Sequence, residues 1–303
     1  MTAGSKTLKE LIADAKDREG TVLDAAERSA PYSYREFATN CFKAGNLLGH
    51  YGVHPGAAVT VAVGPKEAHG DSGADDGETS DGETSDGETS DGGTSDGEIS
   101  DGGSGEDAIG FLGAAEPLLA ILGGASVGAT VDVTPAAPVE SRALVAPAWR
   151  SSETVPRCST LAYGGPPEDP AVAHFEAELW SENPTAPPEP VAATDPALRA
   201  DGESYSHETL LAVAENVVAD HGLDDTSQVM LSARLTDPGA LVAGVLAPLS
   251  VGATVVLPDG ADDGGQTEGT EPALWVVADG DENDSTEVRA GDVTASLRGT
   301  DRA

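Results

Sequence analysis

Apolar positions recur along the chain at helical spacing in some stretches and as short continuous runs in others, which predicts alternating helices and short strands. A first helix covers Leu8 to Ala15, with Gly20 beyond its end. Thr21–Leu23 and the stretch before Pro31 read as a small hairpin. The clearest helix begins at Ser33, where Ser33 and Glu36 have the spacing of a capping box. Behind them Phe37, Cys41, Ala44, Leu48 and Tyr51 fall on one face, and Gly52 closes the run. His54-Pro55-Gly56 makes a turn into a buried strand at Val59–Val63.

Further on, Ile109–Leu122 is an apolar helix candidate interrupted by Pro117, followed by strands at Ala129–Val133, Ala143–Ala146 and Thr160–Tyr163. Residues 181–196 carry five prolines and read as a linker. Beyond it Ser206 caps a helix that ends near Gly222, and Gln228–Leu231 is a strand. Leu241–Leu249 is a helix and Ala253–Leu257 a strand. Ser126–Val133 (SVGATVDV) and Ser250–Leu257 (SVGATVVL) agree at six of eight positions. The expected fold is α/β, with two similar subdomains of mainly parallel sheets flanked by helices. Residues 1–66 and 109–180 would form the first, 181–196 a linker, and 197–303 a second, incomplete one.

Charge adds one element to this picture. Between residues 67 and 108 a pentapeptide array runs DGETS, DGGTS, DGEIS, with fifteen acids and no Lys or Arg over 67–107. Calcium nonapeptide repeats need an aliphatic residue per unit and EF-hand loops a closing Glu at fixed spacing, so the array fits neither. With almost nothing to bury, it is expected to be a disordered, solvated insertion. The tracts from Asp259 and Asp279 have the same character. The rest is acidic too, and the whole chain has 53 acids against 16 Lys and Arg, a net charge of −37. A field of that sign disfavours nucleic acid and anionic membranes as partners. It suits concentrated salt, where the screening length falls to ~3 Å at 1 M.

All five lysines lie in the first 66 positions. No apolar run reaches the ~18 residues of a membrane span, and the N-terminus has no signal-peptide core. Cys41 and Cys158 are too few for a disulfide framework or a thiolate zinc site. A soluble cytoplasmic protein is the expectation. Cys41 lies on an apolar stripe and reads as packing; His221 sits at a helix C-terminus; Tyr163-Gly164-Gly165 reads as a plain turn, with the lining of a crevice at a strand end as the alternative; and no G-x-S-x-G elbow supports a hydrolase.

The stretch YSYREFATNCFKAGNLLGHYGVHPGAAVTVAV from Tyr32 resembles the opening of the AMP-dependent synthetases and ligases, the acyl-adenylate-forming superfamily. Gly52-Val53-His54-Pro55-Gly56 fills the family's Gly-Val-x-x-Gly slot, with Ala57 where Asp is usual. Phe111–Pro135, YSHETLLAVAENV from Tyr205 and LVAGVLAPLSVGATVVL from Leu241 are similar to later family segments, in the family's order. His207 matches the second residue of a Ser-His pair that begins a helix there and is mainly structural.

The resemblance implies condensation of ATP with a carboxylate to an acyl-adenylate, passed on to a thiol such as coenzyme A. It also places a Ser/Thr/Gly-rich phosphate loop ending Pro-Lys-Gly just before Tyr205. Here DPALRADGES runs from Asp195 to Ser204, too short for a strand plus loop, with Asp201 and Glu203 where phosphate would bind. Two carboxylates there oppose anion binding. The family's Tyr-Gly-x-Thr-Glu, its later Thr-Gly-Asp and its C-terminal catalytic lysine have no counterpart, since no Lys follows Lys66. The expectation is a non-catalytic binding or regulatory homologue with no catalytic, cofactor-binding or metal residues and no cofactor. The alternative is one half of a split ligase, completed by a partner chain and then using ATP/Mg and CoA.

Overall fold

The computed structural model describes residues 6–25, 29–63, 115–133, 140–150, 157–257, 272–278 and 287–300. The acidic array and the tracts from Asp259 and Asp279 fall outside these, apart from Glu287 at the end of the second tract.

Helix α1 (Leu8–Ala15) opens with a complete capping box, Thr7 and Glu10 each accepting from the other's backbone N–H. Strand β1 (Thr21–Ala25) pairs antiparallel with β2 (Tyr32–Ser33), so the second arm of the hairpin follows Pro31 rather than preceding it. The aromatic Tyr32, buried against Leu23, fixes that register. Helix α2 (Tyr34–His50) is capped by the Ser33 side chain, which accepts from Glu36 N–H. Strand β3 (Ala58–Val61) follows.

Helix α3 (Glu116–Ser126) starts later than its apolar pattern suggests. Pro117 lies in its first turn, where the missing N–H has no helical partner to lose, so it starts the helix instead of interrupting it. Strands β4 (Thr130–Asp132), β5 (Ala143–Pro147), β6 (Ser159–Tyr163) and β7 (Ala173–His174) lead to helix α4 (Phe175–Ser181). A second hairpin, β8 (Pro196–Ala200) and β9 (Glu203–Ser206), feeds α5 (His207–His221), capped by Ser206 and closed by left-handed Gly222. Strand β10 (Gln228–Leu231) precedes α6 (Pro238–Leu241), a π-turn over Val242–Leu246 and α7 (Ala247–Val251). The wide turn sits just ahead of Pro248, whose ring would clash with the carbonyl of Gly244 in a regular helix. Strands β11 (Thr254–Leu257), β12 (Leu274–Val277) and β13 (Glu287–Arg289) and helix α8 (Ala290–Thr300) complete the described chain.

The strands form two sheets, ordered β13-β12-β10-β11-β1-β2 and β7-β6-β5-β3-β4-β8-β9. Within each, only the terminal hairpin is antiparallel. Position by position, β6-β5-β3-β4-β8-β9 has the same order as β13-β12-β10-β11-β1-β2. The registers match as well. Leu23 pairs with Val255 and Leu198 with Val131, the valines being equivalent residues of the repeated SVGATV segment. Thr254 Oγ1 donates to Thr21 O, and Thr130 Oγ1 to Pro196 O, in the same equivalence.

Sheet membership therefore crosses the division that the proline-rich stretch suggests. Hairpin β1–β2 completes the sheet built by residues 228–289, and hairpin β8–β9, which begins at Pro196, completes the one built by residues 58–174. Each hairpin covers the edge left open by the strand after an SVGATV turn, so neither segment can finish its own sheet. Helices α2 and α7 lie against the six-stranded sheet, α3 and α5 against the seven-stranded one, and the two pairs pack on each other with α1 beside them. Helices α2 and α3 approach closely because both are glycine at the crossing: a Cβ on Gly123 would sit 2.7 Å from Ala44 Cβ and 2.8 Å from Gly45 N. Arg18 joins the segments, donating to Leu249 O and Ser250 O at the end of α7. Tyr34 OH donates to Ala253 O at 2.7 Å across the same seam.

Candidate functional site

In α/β folds ligands gather at the carboxyl ends of parallel strands, and that edge is the first place to look. In the seven-stranded sheet it presents Asp132 on β4, Tyr163 on β6 and the β8–β9 turn. The turn is Asp201-Gly202, with φ of 50° and 82°. Positive φ at both central positions makes a two-residue type I′ hairpin, and Ala200 pairs directly with Glu203 across it. The segment Asp195–Ser204 is thus long enough for a strand after all, because the loop has shrunk to a two-residue turn. The side chains that the turn adds are the carboxylates of Asp201 and Glu203, both exposed. On β8 itself Arg199 Nε donates to Asp132 Oδ2 of the neighbouring β4 at 2.9 Å, so that cation is committed to a carboxylate.

The remaining residues singled out from sequence take structural places. Tyr163 OH donates to Ala62 O, and Gly164 N–H donates to Glu176 Oε1 at 2.6 Å, closing the Tyr163-Gly164-Gly165 turn. Cys41 is fully buried between helices, and burial pushes its thiol pKa far up. Cys158 is half-buried and shifted the same way for the same reason. His207 is completely buried at the start of α5, where its Nδ1 accepts from Leu8 N–H at 3.2 Å. That N–H is one of the four at the head of α1 that have no partner inside the helix. Burial lowers the His207 pKa to about 4, against a smaller opposing pull from Asp195. His221 occupies the last turn of α5, as its position suggests. Among the described residues no cluster of three or more His, Cys, Asp or Glu could hold a metal ion.

Two clefts lie elsewhere. One, of about 620 Å³, opens at the amino ends of β3 and β5, on the opposite edge of the sheet. It is lined by Asn46 and His50 of α2, His54, Arg142 and the chain after α4, which contributes Glu182, Asn183 and Glu189. Arg142 Nε donates to Gly52 O, and His50 Nδ1 meets Glu182 Oε1 at 2.6 Å. A second, of about 400 Å³, lies between α5, β13 and α8 and includes Asp220, His221, Arg289 and Asp292. Neither was legible in the sequence: the first joins residues more than 130 positions apart, such as His50 and Glu182, through a connection that carries no motif.

The two sheets with their exchanged hairpins define an adenylate-forming ligase fold, limited to the N-terminal portion of such enzymes. The anthranilate CoA ligase AuaEII, solved with anthranoyl-AMP, superposes with a TM-score of 0.59 at 14% identity, over 86% of this chain and 46% of that one. A benzoate CoA ligase from Burkholderia xenovorans LB400 gives 0.56 at 17% identity, over 83% of this chain and 45% of the ligase. The N-terminal subdomain of Klebsiella oxytoca NpsA, solved with anthranilyl-AMSN, gives 0.54 at 14%, over 85% and 54%. The chain spans about half the length of these relatives or less. No family model matches the sequence, and no curated protein does. No described helix is long and apolar enough to cross a membrane.

Proposed function

We propose that this chain is a non-catalytic binding or regulatory relative of the adenylate-forming ligases, using their N-terminal fold without an ATP site. One observation carries the reading. Where the resemblance puts a phosphate loop, the chain makes a two-residue turn, Asp201-Gly202, that brings the carboxylates of Asp201 and Glu203 to the spot. Phosphoryl and adenylyl transfer need a loop of backbone donors and free cations around the developing charge; this turn is two residues long, and the cation beside it, Arg298, faces Tyr205, Asp201 and Glu203. The described lysines with side-chain partners lie on α1 and α2, bonded to carbonyl oxygens of residues 180–189. The test is ATP–pyrophosphate exchange by the isolated chain with a panel of carboxylates in molar KCl. Exchange no faster than the protein-free control is expected; robust exchange would sink the proposal.

The alternative is a split enzyme, with which coverage of about half of each ligase is compatible. A partner chain would then bring the phosphate loop, Thr-Gly-Asp and catalytic lysine, together with sites for ATP/Mg and CoA. Under that reading exchange appears only on mixing the two chains. Either way, the acid-rich, lysine-poor composition suits a cytoplasm of concentrated salt.

A further inference from the structure

We propose that residues 182–190 form a latch, held on α1 by the Lys9 ammonium and on α2 by the Asn46 amide, that opens independently of the core and builds one wall of the 620 Å³ cleft only when closed. Prolines 184, 187, 188 and 190 remove four amide donors and keep their neighbours extended. The carbonyls of such a segment need donors from elsewhere. They come from two helices. Lys9 Nζ donates to Pro187 O at 2.5 Å and Glu189 O at 2.6 Å, and Lys16 Nζ to Pro184 O at 3.3 Å. Lys43 Nζ donates instead to Trp180 O at 2.9 Å, at the end of α4 ahead of the latch, and lies 5.5 Å from the centre of the Trp180 ring. Asn46 Nδ2 donates to both Asn183 O and Thr185 O.

The catch is Pro187. It is buried while Thr185, Ala186 and Pro188 around it are exposed. Its ring fills the space that Gly45 leaves open on α2: a Cβ there would stand 2.9 Å from Pro187 Cγ. One buried ring and a row of side-chain donors make a contact that can break without disturbing a β-ladder, the kind of element that opens locally. Glu182, Asn183 and Glu189 are the latch's contribution to the cleft, so opening removes that wall. This also gives a reason for lysine to persist where it does. A compact ammonium on a flexible stem carries three rotatable donors, whereas the arginine fork is rigid.

The test is native-state hydrogen exchange by mass spectrometry on the full chain, comparing wild type with Lys9→Met/Asn46→Ala and with Pro187→Gly. Peptides spanning 182–195 should exchange roughly tenfold faster in both variants, while peptides from α5 and β10 keep wild-type protection. Restoring the α1 donor with Lys9→Arg in the Asn46→Ala background should recover part of the protection. Unchanged exchange over 182–195 in either variant would overturn the latch. So would an equal gain in α5 and β10, because Lys9 and Asn46 would then support the whole fold rather than a separable segment.

Discussion

His207 shows how a residue that resembles a site marker serves as a cap. Its Nδ1 accepts from Leu8 N–H, so the ring is neutral with its proton on Nε2, which has no hydrogen-bond partner. A cation in that position would lose the Leu8 bond and stand buried beside a helix N-terminus, which repels it. With a folded pKa of about 4 against an unfolded value near 6.5, the native state binds fewer protons between those values. Stability from this residue is therefore fully present above pH ~6.5 and is lost as pH falls toward 4, by about 3 kcal/mol in all. Urea midpoints at pH 7.5 and pH 5 should differ more in wild type than in His207→Asn. Equal pH dependence in the two proteins would contradict the cap.

At the scale of elements, α2 carries two glycines with opposite demands. Gly45 faces α3, where a Cβ would sit 2.7 Å from Ser126 Oγ and 2.9 Å from Gly123 O. Gly49, four residues on, would meet nothing within 4 Å. Gly45→Ala should destabilise by about 1–3 kcal/mol through overpacking. Gly49→Ala should stabilise by about 0.5–1 kcal/mol, since alanine loses less backbone freedom in a helix. Thermal melts of the two variants test both signs; a neutral Gly45→Ala would mean that α2 and α3 can slide apart. The helix itself was legible from Ser33, Glu36 and its apolar stripe. Which glycine is a contact and which is surface was not, because that depends on where α3 packs. Pro117 and Pro248 carry the same lesson. Each breaks a pattern on paper, yet one starts a helix and the other is accommodated by a π-turn.

The whole molecule is coupled by its exchanged hairpins and stressed by its charge. With β1–β2 finishing one sheet and β8–β9 the other, neither sheet is complete until both segments are in place. At −37 the folded chain repels itself unless salt screens it. A KCl titration followed by far-UV CD should show folding rise with salt in one cooperative step. Full folding without added salt would reject the salt-adapted reading, and two separated steps would reject the coupling between sheets.

The pattern of apolar residues, caps and turns was enough to place most helices and strands, and the SVGATV pair was enough to show two similar units, because these depend on neighbours a few residues apart. The Asp201 and Glu203 carboxylates were readable there too, whereas the expectation that Asp195–Ser204 is too short for a strand missed how small a turn can close a hairpin. Only the tertiary structure decided which sheet each hairpin completes, since a parallel edge accepts any strand of suitable register and the partner is chosen by packing. It alone showed that Lys9, Lys16 and Lys43 reach carbonyls well over a hundred positions away. A long flexible cation carries no mark in sequence of what it will hold.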